Sequence, residues 1–351
     1  MLQFSGPGSF QITTPDPARY ANQRRAPEDN AIPNGLRAAA EMLSLPSDTE
    51  LHDGWTIDRL HMRLMGATGI AFDLWWPALE TQRRGRRSDL ELVFHADELR
   101  LGAAYLGFSA ELVADHARRG ICALTSLLDG WPFLALDLPD TDQWVLVTGY
   151  EDSGHTLIGY LAQPGGPGLT FTPQQQYRLP GGLTRARAFG LLTGWAEPEP
   201  EPERIIGPLR RGAELLRRTS VGSYATGQAC LAAWADLLEQ AEASVIRDAG
   251  LGDPLIWELA ERRWYASLFL ALAAALLPDC AVPLLAAGAC FQAEHDLMYE
   301  FNTTAGGSQP GDAQPLLVDD QARPKLAAIV RQAAAKDREA ADLLDQAVAG
   351  L

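Results

Sequence analysis

One stretch restricts the fold more than any other: Ala196-Glu-Pro-Glu-Pro-Glu-Pro-Glu203. Each proline fixes φ and removes an amide donor, and the repeated carboxylates repel one another, so the segment predicts an extended spacer. It divides the chain into a first part over 1–195, a Pro/Glu linker over 196–204 and a last part over 205–351. Helical and alternating spacings are mixed before it, and nearly every segment after it has helical spacing. The spacer is the one low-complexity segment, and no fixed period repeats along the chain.

Both parts carry enough apolar material to pack, because 47% of the 351 residues are hydrophobic and 21% are charged. The 29 Lys+Arg against 45 Asp+Glu give a net charge of −16, which excludes a basic nucleic-acid binder. Cys122, Cys230, Cys280 and Cys290 form no CxxC or Cys/His zinc spacing, and they read as small buried thiols. A charged segment followed by an apolar one is not seen near Met1, so a cytoplasmic home is expected. The most apolar run, 264–277, stops at Pro278-Asp279 and falls short of the roughly 20 residues a bilayer needs, so it predicts a core helix and no membrane span.

In the first part, Asn34-Gly35 opens a helix with Leu36, Ala39, Ala40 and Leu43 on one face, and Pro46 ends it. Ile57, Leu60 and Leu64 align on a second helix that Gly66 stops, and Ile70, Phe72, Leu74 and Trp76 alternate as a strand. Leu99, Ala103 and Leu106 mark another helix, and Leu112, Val113 and His116 a further one behind Ser109 as N-cap. Asp129-Gly130 turns the chain into strands over 131–138 and 144–150. Glu151-Asp-Ser-Gly154 is a hairpin turn into a strand over 155–161, and 189–195 is a last strand. The first part is therefore α+β, helices packed on a mostly antiparallel sheet, and the last part is all-α. Its helices fall over 206–219, 224–243, 254–277, 282–301 and 324–349, with a mobile connection over 302–321.

The segments Gly130-Trp-Pro-Phe-Leu-Ala-Leu-Asp-Leu138, Gln143-Trp-Val-Leu-Val-Thr-Gly-Tyr-Glu-Asp152 and Leu157-Ile-Gly-Tyr160 stand beside Pro33-Asn34-Gly35-Leu36. Together they resemble the papain-like fold of the bacteriocin-processing, double-glycine cysteine peptidases. They are also similar to the butirosin-type acyltransferases, which set such a domain before a helical one. The resemblance covers most of residues 28–195. It implies a Cys-Gly pair opening the first helix, a His-Trp pair leading into a Thr-Gly-Tyr-Asp turn, and an acid that orients the His. Here those places hold Asn34, Gln143 and Tyr160. An amide neither becomes a thiolate nor shuttles a proton, so the inherited site is expected to be silent while its scaffold residues Gly35, Leu36, Trp144, Thr148, Gly149 and Tyr150 persist.

Each candidate also has a plainer reading. Asn34 suits a helix N-cap, and Gln143 a strand-end residue with local hydrogen bonds. Cys122 is the one cysteine of the first part and the fallback nucleophile, but it sits in an apolar run and reads as a buried thiol. His155 reads as a solvated turn histidine, and His52 and His61 flank a turn containing Trp55. Cys290, Glu294 and Met298 repeat every four residues, as do Asp296 and Glu300 around His295. One histidine is poor metal geometry, so no metal is expected. Trp75-Trp76, Trp131, Trp144, Trp195, Trp234, Trp257 and Trp264 read mainly as core. Thr81-Gln-Arg-Arg-Gly-Arg-Arg-Ser88 reads as a solvated basic loop, and Gly165-Gly-Pro-Gly168 is not a P-loop.

The expected function is a non-catalytic relative of these enzymes, with no cofactor. It would bind a peptide or a small acyl or amine ligand around Asn34, Gln143, Trp144, Tyr160 and Trp76, or else a protein partner. Two alternatives stand: an active acyltransferase or amide hydrolase using Cys122, and a structural protein that forms homo-oligomers through its helical part.

Overall fold

Short apolar strands punctuated by glycine turns build a seven-stranded antiparallel sheet in the first part of the chain, in the order 108–113, 188–195, 133–136, 145–151, 156–161 and 176–180, with 10–11 paired to 145–151. The computed structural model describes residues 7–20, 30–45, 48–52, 54–77, 89–136, 144–161, 168–248, 253–309 and 314–351. The fold is α+β, and among the described residues no helix is long and apolar enough to cross a membrane. Two compact units form, one from Met1–Leu64 with Phe94–Pro198 and one from Met65–Val93 with Glu199–Leu351. The expected continuous boundary at 195 therefore does not hold for residues 65–93. Phe72, for example, packs edge-on to Phe269 at 6.1 Å and against Phe291 at 5.8 Å.

In the sheet unit the order is β1 (Phe10–Gln11), α1 (Ala31–Met42), the hairpin β2 (Thr49–His52) and β3 (Trp55–Asp58), and the start of α2 (Arg59–Ala67). The helical unit takes β4 (Trp75–Pro77), and α3 (Asp89–Tyr105) returns the chain to the sheet unit. There follow β5 (Phe108–Val113), α4 (His116–Leu128), β6 (Phe133–Leu136), β7 (Val145–Glu151), β8 (Thr156–Leu161), β9 (Gln176–Pro180), the short α5 (Gly182–Arg185) and β10 (Ala188–Trp195). Directly paired residues share a face of a sheet. Gly190, Leu134, Leu146 and Tyr160 thus line one face. The other face presents Phe133, Val145, Val147, Phe189 and Leu191, which pack with Ala123, Leu124 and Leu127 of α4.

The Thr148-Gly149-Tyr150 segment has a packing reason. A Cβ on Gly149 would lie 2.4 Å from the Phe10 carbonyl oxygen, so a side chain there would push β1 off β7. Tyr150 is fully buried and donates its hydroxyl to the Pro7 carbonyl at 3.1 Å.

In the helical unit, α6 (Glu201–Arg217), the small strands β11 (Ser220–Val221) and β12 (Tyr224–Thr226), α7 (Gly227–Gln240), α8 (Ala243–Asp248), α9 (Asp253–Leu276), α10 (Ala281–Thr304) and α11 (Arg323–Ala349) follow in order. Trp234, Leu238, Ile256, Leu259, Phe301 and Val330 share one core.

Several local expectations are corrected. The spacer ends at Pro200, because Glu201-Pro-Glu203 forms the first turn of α6. Proline is tolerated there, having no intrahelical acceptor to bond, and the acids complement the helix dipole. Residues 108–113 are a strand, and the helix behind them is capped by Asp115, which accepts from the Ala117 N–H at 2.8 Å, and not by Ser109. Of the strand expected over 70–76 only its end is extended: Ile70 to Phe72 form turns, and Ile70 to Leu74 are all buried. Gly66 lies inside α2 and does not stop it.

Replacing Gly149 with alanine is expected to cost about 1–3 kcal/mol of stability, the usual range for overpacking, and to make residues 7–16 more protease-sensitive. Denaturant unfolding and limited proteolysis check this; unchanged stability and cleavage would contradict the β1–β7 contact.

Candidate functional site

Helix α1 is buried on every side from Ile32 to Glu41, so its polar side chains must find partners inside the protein. The helix starts three residues before Asn34. Asn30 is the N-cap, and the Asn34 backbone N–H donates to the Asn30 carbonyl at 3.1 Å within the first turn. Asn34 is therefore not the N-cap. Its side chain is 1% exposed, and its Oδ1 accepts from the Leu169 N–H at 3.0 Å and from Arg37 Nη2 at 3.4 Å.

Arg37 ties this contact to a second one. Its guanidinium donates to the Leu169 carbonyl at 2.5 Å and to Glu41 Oε2 at 3.1 Å, and it lies 3.7 Å from Asp58 Oδ2. Asp58 in turn accepts from the N–H groups of Leu60 at 2.9 Å and His61 at 3.1 Å, capping α2. Both backbone polar groups of Leu169 are thus taken by α1.

The loop that brings Leu169 to α1 is held by its own hydrogen bonds. Gln175 is buried, accepts from the Thr170 N–H at 2.8 Å and Thr170 Oγ1 at 3.0 Å, and donates to the Gly168 carbonyl at 2.7 Å. Phe171 has φ +55, a left-handed conformation that costs a non-glycine residue about 1–2 kcal/mol. Its ring is buried and meets Tyr160 edge-on at 5.3 Å. One loop therefore covers both Asn34 and Tyr160.

α1 reaches the sheet through Gly35, where a Cβ would meet the Leu134 Cδ2 at 2.4 Å. Leu134, Leu146 and Tyr160 are successive cross-strand partners, so Asn34 and Tyr160 belong to the same face of the sheet. Trp144, just before β7, is buried and stands edge-on to His95 at 5.6 Å, and His95 Nδ1 lies 3.0 Å from Glu98 Oε2. Gln143 and the basic stretch 81–88 lie outside the described residues, as do residues 163–167 and 310–313 of the expected loops and the Trp76 side chain. The Trp76 backbone pairs with Ala225 in the helical unit.

Cys122 is half-buried on α4 and packs with Phe133, Val147 and their neighbours, on the opposite face of the sheet from Asn34 and Tyr160. His155 is exposed in the hairpin turn. His52 pairs with Trp55 in the β2–β3 hairpin, while His61 is fully buried in α2. In the helical unit Cys290, Glu294 and Met298 are core residues, and among the described residues no group of three His, Cys, Asp or Glu side chains is placed to hold a metal. Burial pushes the Cys290 thiol up to about 11 and the Cys230 thiol higher still, so neither is a thiolate at neutral pH. Asp296 and Glu300 line an open groove of about 440 Å³ between α10 and α11, with Leu297, Gln332 and Lys336.

Comparison with protein-family models finds no match, and comparison with curated proteins finds none either.

Arg37, Leu169, Phe171 and Gln175 carry the closed site, and none stands out in the sequence. The nearest signal is the i, i+4 spacing of Arg37 and Glu41 on an otherwise apolar helix. Asn34→Ala removes the acceptor for the Leu169 N–H and is expected to cost about 1–3 kcal/mol, the penalty for a buried donor left unmatched. Urea unfolding measures it, and a midpoint equal to wild type would contradict the contact.

Proposed function

We propose that the chain is a non-catalytic member of the papain-like group that contains the double-glycine peptidases and butirosin-type acyltransferases, and that it acts by binding. The observation that carries this reading is the state of the nucleophile position. An amide stands there, out of contact with solvent, with its oxygen taken by the chain's own Leu169 and Arg37. Nucleophilic catalysis needs a side chain that can be deprotonated and that reaches a substrate carbonyl, and Asn34 meets neither condition. The acid position holds the Tyr160 phenol, packed against Phe171. With the old cleft filled by loop 168–172, recognition of a peptide, an acyl or amine compound, or a protein partner falls to the surface around it.

The placement of Cys122 weighs against the alternative of a relocated nucleophile, since α4 holds it across the sheet from Asn34 and Tyr160. A homo-oligomer formed through the helical unit has one observation in its favour. Val282 and Leu285 on α10 are 80% and 53% exposed, and burying such side chains between copies is favourable.

Alkylation with iodoacetamide followed by intact-mass measurement tests the reading. The folded wild-type chain is expected to react slowly at Cys122, without the rapid, pH-dependent single-site labelling of an activated thiol. The thiol of Asn34→Cys is expected to stay unmodified until denaturant is added. Fast labelling of Cys122 would favour catalysis, and fast labelling of Asn34→Cys would show the old cleft open.

A further inference from the structure

The core of the helical unit contains a charge imbalance with no access to water. Arg263 on α9, Glu294 on α10 and Asp337 on α11 are each 0% exposed. Arg263 Nε donates to Glu294 Oε2 at 3.1 Å, Nη2 to Asp337 Oδ2 at 2.8 Å and Nη1 to the Ala71 carbonyl at 2.8 Å, and its guanidinium carbon lies 5.3 Å from the centre of the Phe291 ring. Each carboxylate gives one oxygen to the guanidinium. Their other oxygens, Glu294 Oε1 and Asp337 Oδ1, are buried and accept no hydrogen bond.

Two ionised carboxylates have no donor to offer each other, yet these two crowd onto the same guanidinium, at 3.1 and 2.8 Å. A single guanidinium balances one negative charge, and a second uncompensated carboxylate in a site this dry is strongly disfavoured. We propose that Glu294 and Asp337 hold one proton between them, so that three helices are joined by a neutral Arg–carboxylate–carboxylic acid cluster. The proton is a structural component of the helical unit, lost when the unit loosens as pH rises.

The surroundings agree with this. Loss of solvation, partly offset by Arg263 and reinforced by Asp337, holds the Glu294 carboxyl well above the usual carboxylate range. Loss of solvation also disfavours charge on Arg263, but Asp337 and Glu294 outweigh it, so the guanidinium stays charged. Among the described residues, the Cys230 thiol of α7 and the Cys290 thiol of α10 also interact with the cluster, and burial holds both neutral. Arg262 donates to the Asp73 carbonyl and to Glu258, and Arg218 takes the Asp73 carboxylate at 3.0 Å. Lys336 pairs with Glu339 at the surface at 2.8 Å.

The sign of the pH effect follows. A carboxyl group with a folded value above its unfolded value, about 4.3 for glutamate, stabilises the fold fully below the unfolded value. That contribution is lost as pH rises through the folded value. Glu294→Gln keeps an acceptor for Arg263 and supplies a permanent N–H toward Asp337, so it mimics the protonated acid at every pH.

The test is denaturant unfolding of the full chain between pH 5 and pH 9, for wild type, Glu294→Gln and Asp337→Asn. The wild-type folding constant is expected to fall relative to Glu294→Gln by up to about tenfold per pH unit between the unfolded and folded values. Parallel profiles for all three chains would overturn the proposal. Should the variants fail to fold, infrared spectra of wild type at neutral pH decide. A protonated-carboxyl band that shifts in heavy water and vanishes on unfolding supports the shared proton, and its absence refutes it.

Discussion

The hydrogen bond from the Leu169 N–H to the Asn34 carboxamide is the contact on which the reading of the sheet unit depends. It explains why an amide stands at the start of a buried helix, since a neutral side chain that accepts strongly can anchor a loop where a thiolate would be costly to bury. Arg37 completes the anchor by taking the Leu169 carbonyl, so one residue of the loop is held through both of its backbone polar groups. Gln175 then shapes the loop from within, and Phe171 brings its ring onto Tyr160. One loop thus covers both the amide of α1 and the Tyr160 ring.

The two units solve the same problem with the same residues. In each, a fully buried arginine faces two carboxylates and a backbone carbonyl: Arg37 with Glu41, Asp58 and Leu169, and Arg263 with Glu294, Asp337 and Ala71. Such clusters contribute little net stability over well-packed apolar residues, but breaking one partner out is costly, and they fix which helices meet. The arginine fork suits this use, because its donors diverge toward several acceptors at once.

Much of the sheet was legible because its signals are local. The short apolar runs over 144–150 and 155–161, with Asp152-Ser-Gly154 between, yield β7, its turn and β8. The long helices α9, α10 and α11 follow from their apolar content, with ends misplaced by a few residues. The start of α1 was misread because Asn34 offers the same capping chemistry as Asn30, and Pro33 reads equally as a residue before a helix or within its first turn. Residues 70–74 alternate like a strand but are buried throughout, so the periodicity had no solvent face to report. The closed site was not legible at all. It joins residues 135 positions apart through a backbone N–H, a group every residue but proline carries. The membership of residues 65–93 in the helical unit was hidden for the same reason, since contacts between distant residues reveal it, Phe72 with Phe269 and Arg263 with the Ala71 carbonyl among them.

Amide hydrogen exchange resolved to Leu169 tests the central claim most directly. If its N–H is locked onto Asn34, it exchanges at the slow rate of the β6–β7 amides and reaches solvent only when the sheet unit opens as a whole. Exchange as fast as that of an exposed loop would mean the cleft is open, and the account of a filled, silent site would fail.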